Sequence, residues 1–196
     1  MKPENDQPGK FHGPAEVRLV RMLPGPVERV WAYLTDPEKR ARWFAGGPME
    51  LRRGGKVTFH VQHKNLAPDE IPPEEQRASH EGNRSMSGTV TRCEPPHVLA
   101  FTFSHYGESE ATFELTPQGR DVRLVLTHRG KGGDLSYMAG FGSGWHVHLA
   151  HLVALLEGAP RPPFWPLHAQ LREPYGKLYA AAKASPHLAT NVSSPS

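Results

Sequence analysis

Residues 143–158 read SGWHVHLAHLVALLEG, and this stretch decides the fold. Its apolar residues Trp145, Leu149, Leu152, Val153 and Leu156 recur at helical spacing, so a helix carries them as one continuous stripe. Ser143 is expected to cap the start of that helix. Gly158 is expected to end it, and Pro160 forbids its continuation. Burying the stripe removes about 500 Å² from water, ~12 kcal/mol before chain entropy is counted. Such a helix is a core element and needs an apolar surface to lie against.

That surface is encoded upstream as strands. Leu99, Phe101 and Phe103 alternate, as do Ala111, Phe113 and Leu115, then Val122, Leu124 and Leu126. The last two runs read as a hairpin turned at Pro117-Gln118-Gly119. Earlier, residues 85–94 form another strand, and Val57, Phe59 and Val61 share one side of a strand that Gly54-Gly55 joins to residues 49–53 as a hairpin. The first strand is expected over 15–23, with Val17, Leu19 and Arg21 on one face. Pro24-Gly25-Pro26 stops it, with Pro26 suited to the first turn of the helix that follows. That helix, VERVWAYLT, has Val27, Val30, Trp31 and Leu34 at helical spacing. A second short helix begins at Pro37, capped by Thr35 or Asp36.

The resulting fold class is α+β, a curved antiparallel sheet wrapped around a long C-terminal helix. Its expected divisions are a disordered arm over 1–14, a domain over 15–158 and a polar, proline-rich loop insertion over 65–84. A helical appendage over 159–183, kinked or divided at Pro174, and a disordered tail over 184–196 complete the chain.

Bulk properties narrow the function. The chain has 196 residues, only 37% of them hydrophobic, with 20 prolines and 19 glycines, so loops dilute one core. No segment approaches the ~20 apolar residues that span a bilayer, and the N-terminus has no secretory h-region, so a cytoplasmic location and no membrane insertion are expected. A net charge of +3 arises from 23 basic residues scattered among 20 acidic ones, which argues against nucleic acid as a partner. The lone Cys93 excludes an intramolecular disulfide and stands beside Glu94, which does not lower its pKa.

Three motifs carry a family resemblance. PVERVWAYLTDPEKRARWF, residues 26–44, resembles the opening "VW-x-x-lT-d-p-e-x-x-x-x-WF" of the bacterial branch named after the activator of the heat-shock-protein-90 ATPase. GTVTRCEPPHVLAFTFS, residues 88–104, is similar to that branch's central strand pair, with Phe103 where a Trp is common. GSGWHVHLAHLVALLEG resembles its closing helix. The resemblance spans about residues 15–158 and implies the helix-grip fold of START-like lipid-transfer domains, pollen-allergen-like proteins and polyketide cyclases (the SRPBCC superfamily). It implies a cavity between sheet and long helix that takes a small hydrophobic molecule, and no shared catalytic set or cofactor.

Aromatic and aliphatic side chains expected around that cavity are Trp31, Trp43, Phe44, Phe59, Phe101, Phe103, Phe113, Leu115, Trp145, Leu149 and Val153. Filling of the same space by those side chains is the competing expectation. Polar candidates are Arg21, His128, His146 and His148, the groups a cyclase-like enzyme would use as acid or base; the catalytic residues themselves are unknown. His146 and His148 border the stripe on opposite sides, His60 and His63 lie three apart on a strand, and only His148 and His151 share helical spacing. With no HExxH and no carboxylate beside a spaced pair, no metal site is expected. Two partner-binding readings complete the set. One is a co-chaperone-like module, although the eukaryotic namesake carries an additional domain. The other is a homodimer through Phe164, Trp165 and Tyr175 of the appendage, which is expected to fold back on its own domain first.

Overall fold

The computed structural model describes residues 3–77, 84–103, 108–131 and 135–185. The alternating runs become strands β1 (Lys10–Phe11), β2 (Glu16–Pro24), β3 (Lys56–Val61), β4 (Arg84–Glu94), β5 (Val98–Phe103), β6 (Ser109–Gln118) and β7 (Asp121–Gly130). They form one seven-stranded antiparallel sheet in the order β1-β2-β7-β6-β5-β4-β3. The expected alternation holds: Val17, Leu19, Phe59, Phe101, Phe113 and Leu124 all fall on the buried face. This is the helix-grip architecture. β4 passes close to β5 at Gly88, where a Cβ would collide with the Thr102 carbonyl oxygen, so only glycine fits. A bulge follows between Val90 and Arg92.

Helices α1 (Val27–Thr35) and α2 (Pro37–Ala41) follow β2 as their apolar spacing and prolines predict. Asp36, not Thr35, caps α2: its Oδ1 accepts from the amides of Glu38 and Lys39 at 3.0 and 2.9 Å. The described helices also include α3 (His63–Leu66), α4 (Met138–Glu157) and α5 (Phe164–Ala184). The stripe of α4 lies on the sheet, with Trp145, Leu149, Leu152, Val153 and Leu156 each at most 3% exposed. Gly158 ends α4 with φ +68°. None of the described helices is long and apolar enough to cross a membrane.

Several boundaries differ from the expectation, each for a tertiary reason. α4 begins at Met138, so Ser143 is not its cap but an interior residue whose hydroxyl donates to the Gly140 carbonyl at 3.1 Å. The run 140–142 precedes the expected cap and would lie outside the helix, since glycine weakens helices. It is helical because Gly142 lets Tyr175 and Phe11 approach, where a Cβ would come within 2.5 Å of the tyrosine ring. Pro26 is the N-cap of α1 rather than a first-turn residue. Residues 49–53 form no strand: Met49 makes one isolated bridge to Val57, and Gly46 another to His60.

The two ends of the chain also depart from expectation. Residues 3–14 are held on the sheet edge rather than free. Pro3–Asp6 is a short 3-10 helix, and Asn5, 2% exposed, exchanges hydrogen bonds with the Met22 backbone at 3.0 and 2.7 Å. The polarity that read as disorder here satisfies the free edge of β2. α5 is one helix that runs through Pro174, an exposed position where water can take the carbonyl that proline leaves unbonded. Glu70 in the 65–84 loop accepts from the amides of Phe164 and Trp165 at 2.8 and 2.9 Å, which ties the loop to the N-terminus of α5. Part of that loop, 78–83, and the expected tail from 186 onward lie outside the described residues.

Candidate functional site

The aromatic residues meet on the inner face of the sheet, and most of them fill it. Phe59 stacks on Phe103 at 5.4 Å and lies 4.9 Å from Phe101, while the Phe113 edge meets Trp145 at 5.7 Å. Trp43 is buried, its indole N–H donating to the Tyr33 carbonyl at 2.8 Å. Leu115, Leu149 and Val153 are core residues, and Trp31 is half-buried on α1 at the margin of that core.

One end of this space is not filled. A cavity of about 170 Å³ lies between β3–β5 and the first half of α4. Of the residues expected around it, Phe44, Phe103, Trp145 and His148 do line it, joined by Val61, His63, Gln76, Met86, Gly140, Phe141 and Gly144. The origin of the space is local to α4. Gly140, Gly144 and His148 follow one another at i, i+4 spacing, with Phe141 and Trp145 in a second such row beside them, and a Cβ at Gly140 or Gly144 would meet nothing within 4 Å. Gly140, Phe141 and Gly144 are the lining residues of this helix missed in the sequence. The signal was the Gly-x-x-x-Gly spacing in phase with His148, hidden because the helix was expected to start only at Ser143.

The four polar candidates separate into two places. His148 borders the cavity. Its Nδ1 donates to the Trp43 carbonyl at 2.8 Å, and burial, with His63 next to it, pushes its pKa down to about 3. The part of its ring that is accessible belongs to the cavity wall. His128 lies one layer deeper, fully buried, stacked on Phe141 at 3.9 Å and on Phe103 at 5.6 Å. Its Nδ1 accepts from Trp145 Nε1 at 3.0 Å, and burial pushes it to about 3.

Arg21 and His146 are on the other side of α4, away from the cavity. Arg21, 1% exposed, donates through Nη1 to the carbonyls of Gln7 and Val20 at 3.1 and 2.8 Å. Burial lowers its pKa, partly countered by Tyr175 and Asp6. The Tyr175 hydroxyl accepts from the Gly9 amide at 2.7 Å and shares a 3.0 Å hydrogen bond with His146 Nδ1. Burial first, and then the Arg21 cation, push His146 down to about 4. The hydroxyl thus joins the N-terminal arm, α4 and α5. Tyr175→Phe is expected to cost about 1–3 kcal/mol in urea unfolding, and amide exchange at Gly9 accelerates. An unchanged midpoint would show that the clasp is replaced by solvent.

The histidines do not converge on an ion. His148 and His151 share a helical face, but His151 Nε2 donates to the Pro162 carbonyl at 3.0 Å and the Phe164 ring packs on both, at 5.4 and 5.5 Å. His60 is an exposed strand residue, while His63 opens α3 and faces the cavity. No group of three metal-binding side chains occurs among the described residues. Burial raises the thiol pKa of the half-buried Cys93.

Comparison with known proteins agrees with this fold. The family model described as "Activator of Hsp90 ATPase homolog 1-like protein" matches residues 24–157. A Bordetella parapertussis protein solved by NMR is 41% identical, with 82% of this chain and 84% of that one covered and a TM-score of 0.71. CalU16 of Micromonospora echinospora shares the fold at 24% identity, over 84% and 88% of the two chains, with a TM-score of 0.62. DynU16, from the dynemicin biosynthetic locus, does so at 22% identity over 77% of this chain and 51% of that one, with a TM-score of 0.60. No curated protein sequence matches the chain.

Proposed function

This chain belongs to the Activator of Hsp90 ATPase homolog 1-like family, and on that premise we propose that it binds a small apolar molecule between the sheet and α4. The observation that carries the reading is the unfilled face of α4. Glycines at 140 and 144 leave an aromatic-walled cavity in a core that is otherwise closely packed. Apolar-walled spaces of about this size take up small aromatic hydrocarbons. A ligand burying about 250 Å² of apolar surface gains ~6 kcal/mol before the costs of association, so dissociation constants from about a hundred micromolar to the millimolar range follow.

A cyclase-like reaction is supported less well. General acid–base work is best served by a pKa near the working pH. His148 and His128, the histidines at and behind the cavity wall, are held neutral at about 3. A partner-binding role lacks its expected surface, because Phe164, Trp165 and Tyr175 are buried within the chain's own domain.

Gly144→Leu tests the binding reading. The added side chain points into open space, so the variant keeps its near-UV CD spectrum and unfolds at the same or a higher temperature, helped by the stronger helix former. Thermal-shift and tryptophan-fluorescence titrations with naphthalene-sized hydrocarbons are expected to show saturable binding to the parent protein and at least tenfold weaker binding to the variant. Equal responses of the two proteins, or none from either, would overturn it.

A further inference from the structure

We propose that His148 makes the cavity selective for flat aromatic molecules that carry a hydroxyl group, with the ring among Phe44, Phe103 and Trp145 and the hydroxyl donating to His148 Nε2. This rests on ligand binding in the cavity and names the chemistry it prefers.

The hydrogen bond from His148 Nδ1 to the Trp43 carbonyl, 2.8 Å long, needs the proton on Nδ1. In the neutral ring Nε2 is then a lone-pair acceptor, and burial keeps the ring neutral at ordinary pH. Aromatic edges fix the ring in place: Phe44 meets it at 5.1 Å, Phe164 at 5.4 Å and Trp145 at 6.2 Å. His148 Nε2 has no hydrogen-bond partner among the described residues, and the half-buried ring that carries it lines the cavity. A hydrocarbon filling the cavity strips water from this nitrogen and leaves it unpaired, whereas a hydroxyl pairs it. The rest of the wall is mostly aromatic rings, Val61, Met86 and bare glycine backbone, with the Gln76 amide at its margin, and these surfaces suit a flat aromatic molecule.

The isosteric pair 2-naphthol and 2-methylnaphthalene isolates the hydroxyl. The parent protein is expected to bind 2-naphthol about 10- to 100-fold more tightly, and the ¹⁵N resonance of His148 Nε2 shifts with 2-naphthol only. His148→Asn places an amide where Nδ1 was, which keeps a donor for the Trp43 carbonyl and removes the cavity acceptor. It is expected to bind both compounds within twofold of each other. His148→Gln, which returns an acceptor near the Nε2 position, restores part of the preference. Equal binding of the two compounds by the parent protein would overturn the selectivity while leaving the binding reading intact. Binding of neither overturns both.

Discussion

Arg40→Ala is expected to lower the unfolding free energy by about 3–5 kcal/mol, the range for removing a buried, fully engaged charged side chain. Arg40 is 1% exposed. Its Nε donates to the Ala45 carbonyl at 2.9 Å, Nη1 to those of Leu34 and Thr35 at 3.3 and 3.0 Å, and Nη2 to that of Gly47. The guanidinium also lies over the Phe59 ring at 5.6 Å. Burial lowers its pKa to about 10, partly countered by Asp36, so the group remains a cation at neutral pH. Backbone dipoles from the end of α1 and from the chain leaving α2 take the place of a paired carboxylate.

Alanine leaves four backbone carbonyls without their donor and opens a void beside Phe59. Arg40→Lys has three donors for the same carbonyls and is expected to cost less, since one ammonium cannot span both ends of the bracket. Urea unfolding should show a shifted midpoint with an unchanged slope. The cavity is affected too, because Arg40 brackets the segment that carries Phe44. A loss below 1 kcal/mol in Arg40→Ala would mean that water replaces the guanidinium and that this bracket does not hold the fold.

The second large effect is acid destabilisation set by histidines rather than carboxylates. His128 and His148 are lowered to about 3, and His146 and His151 to about 4, from an ordinary value of 6.5. In the unfolded chain they take up protons as pH falls through 6.5, whereas in the folded protein they do not until pH 3–4. The unfolded state therefore binds more protons across this window, and stability is full above it and falls as pH decreases. His128 alone, fully buried, contributes about 1.4 kcal/mol per pH unit, and the other three act in the same direction. Acid unfolding is expected with its midpoint above pH ~4, since domains of this kind hold only about 5–15 kcal/mol in reserve. Urea midpoints between pH 7.5 and 4.5 measure it directly. His128→Gln, whose amide oxygen can still accept from Trp145, should flatten the slope by about one proton whatever its effect at neutral pH. Stability that stays level from pH 6.5 to 4.5 would contradict the buried neutral state of these rings.

What the sequence by itself determined is what a local period can report. The stripe from Trp145 to Leu156, the alternation through Leu99–Phe103 and Val122–Leu126, and the run of strands that need one cover are sufficient to specify a sheet gripping a helix. The class of site followed from the family resemblance of the opening and closing motifs. Only the tertiary structure decided where the space lies and which groups face it. A cavity is an absence of atoms, produced when Gly140 and Gly144 come opposite Phe44, Met86 and Phe103 from distant segments, and no periodicity records that. The glycine run became helix through contact with Tyr175 and Phe11, and the N-terminal arm gained order from the edge of β2. His146 and His148, two residues apart, face a tyrosine clasp and the cavity respectively. Residue spacing put the two rings on different sides of α4, and the chain packed against each side assigned their environments.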